Sequence, residues 1–222
     1  MCTMNDVPPY LGWLMDRVSD DHASRGQTYG FNRPYRKHLE DVDRLLRVAC
    51  GSAWLEDDAA CALLAAGILH DWFEDCMTVI VRDRSADVLV RAMLVWSGEF
   101  DVPATSLLIA LRCTDPTWPS SRHAAKQAVL PGILACEGAR CVKLADRIGN
   151  LQQSISDRSG KHLARYVGEA PDFAPVADLG MTPDDAVLET RCYAPVRVFL
   201  ASQYLTVLEE AKKVLVELAH QP

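Results

Sequence analysis

No stretch of this sequence approaches the roughly 20 consecutive apolar residues that a bilayer-crossing helix needs. No basic start followed by an apolar segment opens the chain either. The expectations are a chain without a membrane span and, absent a targeting segment, a cytoplasmic location. Positive charge is scarce: 23 Lys and Arg face 30 Asp and Glu, a formal net charge of −7. That balance leaves no electrostatic footprint for general nucleic-acid or membrane-surface binding. An anionic ligand would therefore need a metal or a local group of cations. CxxC pairs are missing among the 8 cysteines, and disulfide frameworks belong to small secreted domains. Cys2, Cys50, Cys61, Cys76, Cys113, Cys136, Cys141 and Cys192 are expected to be reduced, several of them as small hydrophobes in apolar helical sequence. Internal repeats, low-complexity segments and long alternating strand patterns are also lacking.

What remains is a chain of 222 residues with 49% hydrophobic and 24% charged composition, enough for one all-α domain with a substantial core. A first helix is expected over Tyr10–Ser19, then a loop rich in Gly and Pro as far as Tyr35. Apolar residues at 39, 42, 45, 46, 48 and 49 carry the helical period, with Gly51-Ser52 as the stop. One helix is predicted from Asp57 to about Asp75. Val79–Val81 is strand or helix, and Ser85–Trp96 is helical. A helix opens at Val102-Pro103 and runs to Cys113 or Thr114, and Asp115–Ser121 is a loop. Arg122–Ala135, Ala139–Ile155 and His162–Val167 are helical. Gly168–Pro183 is expected to be a long irregular loop, Thr182 an N-cap, and Val196–Ala219 the closing helix, with Pro195 kinking or splitting it from what precedes.

The stretch Ala59–Cys76 organises the chemistry. Small and apolar residues from Ala59 to Leu69 lead directly into His70-Asp71-Trp72-Phe73-Glu74-Asp75. Helical spacing sets His70 beside Glu74, and Asp71 beside Glu74 and Asp75. Three close carboxylates repel one another and are costly to bury unpaired, and acids at a helix C-terminal end oppose its dipole. A bound cation would relieve these costs. His38 and Asp146 are the further candidate ligands, and Lys143, Arg147 and Asn150 lie at helical spacing around Asp146. Each has a bland alternative: a lone His is usually a satisfied or surface side chain, and an Asp between two cations is usually a solvated ion-pair face.

Taken in order, His38, His70-Asp71 and Asp146, each on its own predicted helix, resemble the HD superfamily of metal-dependent phosphohydrolases. The patterns HDxxED over 70–75 and KLADRxxN over 143–150 resemble the hydrolase domain of the RelA/SpoT family and the stand-alone small alarmone hydrolases. Pro34-Tyr35-Arg36-Lys37-His38 is similar to that family's PYxxH, and His22 to Gln27 to the segment just upstream. The resemblance covers roughly residues 20–167 and leaves 168–222 as C-terminal loop and helices. It implies an HD-type helical bundle, with His38, His70, Asp71 and Asp146 as metal ligands and Glu74 and Asp75 as catalytic acids. Mixed imidazole and carboxylate ligation suits Mn²⁺, Fe²⁺ or Zn²⁺, and the family favours Mn²⁺. The substrate would be a small nucleotide, a guanosine or adenosine alarmone losing its 3′-pyrophosphate. Lys143, Arg147, Lys37 and the neighbouring Arg33 and Arg36 supply the local cations, Asn150 matches the family's nucleoside-contacting position, and Tyr29 is placed to stack on a purine.

Departures from the family pattern concern substrate choice. Tyr29-Gly30-Phe31 stands where a basic pair is usual, Gly149 where His is usual, and an insertion is implied around Gly51–Asp58. A nucleotide phosphatase or phosphodiesterase of other specificity, or a nucleotide-sensing, antitoxin-like module, are the alternatives. The sequence leaves open whether the chain forms a homo-oligomer.

Overall fold

In the computed structural model, residues 8–75, 98, 102–114, 122–179 and 188–220 are described. Helix α1 spans Pro9–Ser24, and a short antiparallel pair follows, β1 (Thr28–Tyr29) with β2 (Arg33–Pro34). Helices α2 (Arg36–Ala53), α3 (Asp57–Leu69) and α4 (Trp72–Asp75) come next. Further on are α5 (Ala104–Cys113), α6 (Arg122–Leu134), α7 (Glu137–Ser156), α8 (Gly160–Gly168) and α9 (Ala170–Phe173). A 3₁₀ turn over Leu188–Tyr193 leads into α10, Ala194–Ala219. The described residues are thus mostly helical, with one two-stranded sheet. Among them no helix is long and apolar enough to cross a membrane. The expectations for Val79–Val81, Ser85–Trp96, Asp115–Ser121 and the Thr182 cap fall outside the described residues.

Helix α7 is the axis. It packs on α10 most extensively, and also on α2, α3, α5, α6 and α8. Its buried residues go round the helix, from Ala139, Cys141 and Val142 to Ile148 and Leu151. Helix α3 is apolar on every side, and Ala62–Leu69 are all buried, as such a helix must be. It wedges between α2, α5 and α1. Gly67 allows a close approach to α2, since a Cβ there would lie 2.5 Å from Leu46 Cδ1. One hydrophobic core runs from Leu11 to Ala211.

Several boundaries differ from the sequence expectation. The predicted Asp57–Asp75 helix breaks at His70-Asp71, where the His70 imidazole donates to the Gly67 carbonyl in the last turn, 2.7 Å away. Helix α2 passes through Gly51-Ser52 and ends at Trp54, which adopts a left-handed φ of 53°. Tertiary burial of Ala49 and Cys50 holds the last turn against the weak helix preference of Gly. Pro195 splits the closing region rather than kinking a helix: it lies in the first turn of α10, just after the 3₁₀ turn ends at Tyr193, where its missing N–H costs no hydrogen bond. The loop expected from Gly168 contains α9, and the tail is no appendage, because Val196, Leu200, Ala201, Tyr204 and Ala211 all enter the core. Among the six described cysteines there is no disulfide, and Cys50, Cys113, Cys136 and Cys141 are buried.

A buried ionic network secures the turn after α9. Glu137 of α7 accepts from Arg140 and, at 2.6 Å, from Arg197 of α10. Arg140 also donates to the carbonyls of Pro175, Val176 and Asp178. Each charge is paired and hydrogen-bonded, the condition under which such groups are tolerated inside a protein.

Candidate metal centre

Three separate segments bring four side chains together. His38 lies in the first turn of α2, with its N–H bonded to the Tyr35 carbonyl at 2.9 Å. His70 and Asp71 occupy the break after α3, and Asp146 projects from the middle of α7. His38 and His70 are 2% and 0% exposed. Their Nε2 atoms face the carboxylates: His38 is 3.4 Å from Asp71 Oδ2 and 3.3 Å from Asp146 Oδ1. His70 is 3.1 Å and 3.9 Å from the same two oxygens. The ligand atoms of His38, His70 and Asp71 all lie within 4.8 Å of one another.

These separations fit one cation. Metal–ligand bonds of about 2.1 Å place adjacent ligand atoms about 3.0 to 3.4 Å apart in octahedral or tetrahedral geometry. Three of the four imidazole–carboxylate distances fall at that spacing, and the fourth is wider. The His70 tautomer fits as well. Its Nδ1 is engaged with the Gly67 carbonyl, while Nε2 is buried without a hydrogen-bond partner among the described residues. An imidazole oriented through its other nitrogen is the usual arrangement for a metal ligand.

The electrostatics of the four groups are coupled. Burial alone would lower both imidazole pKa values, but it is outweighed. Asp71 and Asp146 push His70 up to about 10 and raise His38 in the same direction. Burial opposes the reverse effect on the carboxylates, yet His70 and His38 hold Asp71 and Asp146 well below the usual carboxylate range. Without a metal, the positive charge favoured on the imidazoles offsets the charge of the two acids.

A cavity of about 460 Å³ opens above these groups, within the usual size of a small-molecule site. His38, Asp71 and Asp146 form its floor, and Tyr29, Lys143, Arg147 and Asn150 line it. Arg147 is held at 2.8 Å by Glu169 and stacks over Tyr166 and Phe173. Asn150 donates to Asp146 Oδ1 at 2.5 Å, so it positions a candidate ligand as well as facing the cavity. Tyr29 is only 8% exposed and lies against the His38 ring, centroids 4.7 Å apart, which leaves little of its face for a purine.

Lys37 does not reach the cavity: it pairs with Asp41 one turn on, along the exposed side of α2. Its neighbours are committed likewise, Arg33 to Asp157 at 2.8 Å and Arg36 to Asp16 and Glu40. The cations expected ahead of His38 are thus spent on the protein's own acids. Glu74 and Asp75 belong to the single turn of α4, and their side chains lie outside the described residues.

The structure adds cavity residues that sequence reasoning did not single out. Arg165 of α8 lines the cavity, its guanidinium over the Tyr166 ring at 4.4 Å. Glu169, Asp172, Phe173 and Val176 form a wall from the segment expected to be loop. Tyr35 donates its hydroxyl to Asp71 Oδ2. Its sequence signal was its place in the Pro34–His38 stretch that resembles the PYxxH pattern.

No protein-family model matches the chain, and comparison with curated proteins and with solved structures finds no match.

Proposed function

We propose that this chain is a Mn²⁺-dependent phosphohydrolase with an HD-type helical bundle, removing the 3′-pyrophosphate from a guanosine or adenosine alarmone such as (p)ppGpp. One observation carries the reading: His38, His70 and Asp71 cluster at metal-ligand spacing, with Asp146 Oδ1 3.3 Å from His38 Nε2, beside a cavity lined by Lys143, Arg147 and Arg165. A chain of net charge −7 needs local cations to hold an anion, and Lys143, Arg147 and Arg165 line the cavity beside Asp71, Asp146, Glu169 and Asp172, whose charge a bound cation would offset.

A bound Mn²⁺ would supply Lewis-acid polarisation of a phosphate oxygen and a more acidic water. The chain's own groups do the rest. Lys143, Arg147 and Arg165 neutralise the pyrophosphate, and the Glu169 carboxylate fixes the direction of the Arg147 fork. Val129, Leu130, Ile133 and Phe173 give the cavity an apolar side suited to the nucleoside. Glu74 and Asp75, one turn beyond the ligand pair, are the general acid–base groups. They take a proton from the attacking water as its oxygen bonds to the 3′-linked phosphorus. They return one to the ribose 3′-oxygen as the P–O bond breaks.

The test is incubation of the purified, Mn²⁺-loaded protein with ppGpp, pppGpp, ppApp and NADPH, following product identity. Release of pyrophosphate from at least one 3′-pyrophosphorylated nucleotide is expected. Turnover of NADPH alone would move the assignment to another phosphatase. Tight nucleotide binding with no turnover of any substrate would replace the enzyme by a sensing module.

A further inference from the structure

Asp71 sits in the break between α3 and α4, where no helical ladder continues on both sides of it, so its carboxylate is aimed by side chains. Its Oδ2 is the oxygen nearest both imidazoles, 3.1 Å from His70 Nε2 and 3.4 Å from His38 Nε2. The same oxygen accepts the Tyr35 hydroxyl. Tyr35 is in turn the residue at which α2 begins, and its carbonyl receives the His38 N–H at 2.9 Å. One residue therefore touches two candidate ligands, one through its backbone and the other through its hydroxyl.

Tyr35 is itself held. Its ring lies flat on the His22 imidazole, centroids 4.0 Å apart and planes 16° from parallel. Its edge meets His38 at 5.5 Å. His22 is fully buried, and its Nδ1 shares a hydrogen bond with Gln27 Oε1 in the turn before β1. A Phe at 35 would fill the same ring volume and keep the stack. Packing alone therefore does not account for a hydroxyl aimed at Asp71.

We propose that Tyr35 is a positioning residue of the metal centre. Its hydroxyl determines how Asp71 presents Oδ2 to the cation, and the His22–Gln27 pair determines where Tyr35 can stand. The proposal rests on the metal-centre reading of the four ligands and extends it to a residue that lines the same cavity and acts on the cation through Asp71. Partners of this kind commonly change metal affinity by roughly 10- to 100-fold when removed.

The test is a Mn²⁺ titration of the full chain, following free Mn²⁺ by electron paramagnetic resonance, so that no activity is needed. Wild type is expected to bind one ion per chain. Tyr35→Phe is expected to bind at least about tenfold more weakly, with an unchanged far-UV circular dichroism spectrum. His22→Ala should weaken binding in the same direction, and adding it to Tyr35→Phe should lower affinity by less than the product of the two effects, because both act through one group. Tyr35→Phe binding within twofold of wild type overturns the proposal while leaving the metal centre intact. Absence of Mn²⁺ binding by wild type overturns the metal centre itself. If His22→Ala does not fold, Tyr35→Phe still decides.

Discussion

Protons and metal compete for the same imidazole nitrogens, so Mn²⁺ affinity should climb steeply with pH. In the metal-free site, burial works against a charged His70, but Asp71 and Asp146 push its pKa up to about 10. At pH 7 the metal must therefore expel a proton bound about three units more tightly than solution pH supplies it. At about 1.36 kcal/mol per unit, this costs the binding about 4 kcal/mol. From His70 alone, apparent affinity should rise about tenfold per pH unit across this range, and His38, raised in the same direction, steepens the slope. Asp71 and Asp146 are held deprotonated and release nothing. Calorimetric titration with Mn²⁺ at pH 6.5, 7.5 and 8.5, in buffers of different ionisation enthalpy, measures affinity and proton release together. At least about one proton per ion and about a 100-fold gain over the two units are expected. Affinity constant within threefold, with no proton release, would refute the coupled four-group site.

The same groups fix the pH dependence of stability. In the metal-free protein the raised His70 stabilises fully below its unfolded value of about 6.5, and that contribution is lost as pH rises through about 10. The lowered Asp71 and Asp146 stabilise above about 3.9, and their share is lost as pH falls through their folded values. The thermal midpoint of the metal-free chain should thus fall from pH 7 toward pH 10, while the gain on adding Mn²⁺ grows over the same interval.

Gly67→Ala should destabilise the fold, because its Cβ would meet the fully buried Leu46 at 2.5 Å. Overpacking of about 1–3 kcal/mol outweighs or cancels a helix gain of about 1 kcal/mol, as urea unfolding would show. Gly149→Ala has the opposite sign: the nearest atom is 3.9 Å away, and a gain of roughly 0.5–1 kcal/mol is expected in the same assay. Arg147→Met should raise KM for the nucleotide about tenfold or more, the scale of one charge-assisted hydrogen bond, with Mn²⁺ affinity unchanged. Lys37→Ala should leave KM within about twofold, since an exposed i,i+4 pair with Asp41 is worth little. Glu74→Gln should keep Mn²⁺ binding yet slow hydrolysis about 10²-fold, and full activity would remove Glu74 from the mechanism.

The helices and the candidate ligands were legible in the sequence for a local reason. Apolar spacing defines α2 and α7, and the HD and KLADRxxN patterns mark the side chains that converge. What was hidden depends on distant partners. The basic run before His38 reads as an anion site until Asp16 and Asp157 arrive from elsewhere to neutralise Arg36 and Arg33. Arg165 reaches the cavity from α8, which packs on α7 and α10, and the α9 wall is followed by a turn that Glu137, Arg140 and Arg197 tie down. The break at His70-Asp71 escaped helix propensity because a side chain, His70, takes up the carbonyl at the end of α3. Trp54 likewise ends α2 in a left-handed conformation that composition would assign to Gly.

The most direct measurement is the rate of pyrophosphate release from ppGpp by the metal-free chain, by the Mn²⁺-loaded chain and by Mn²⁺-treated Asp146→Ala. A metal-dependent hydrolase built on these ligands predicts GDP and pyrophosphate from the loaded wild type, with both other samples near background. Equal rates in all three, or none in any, would contradict it.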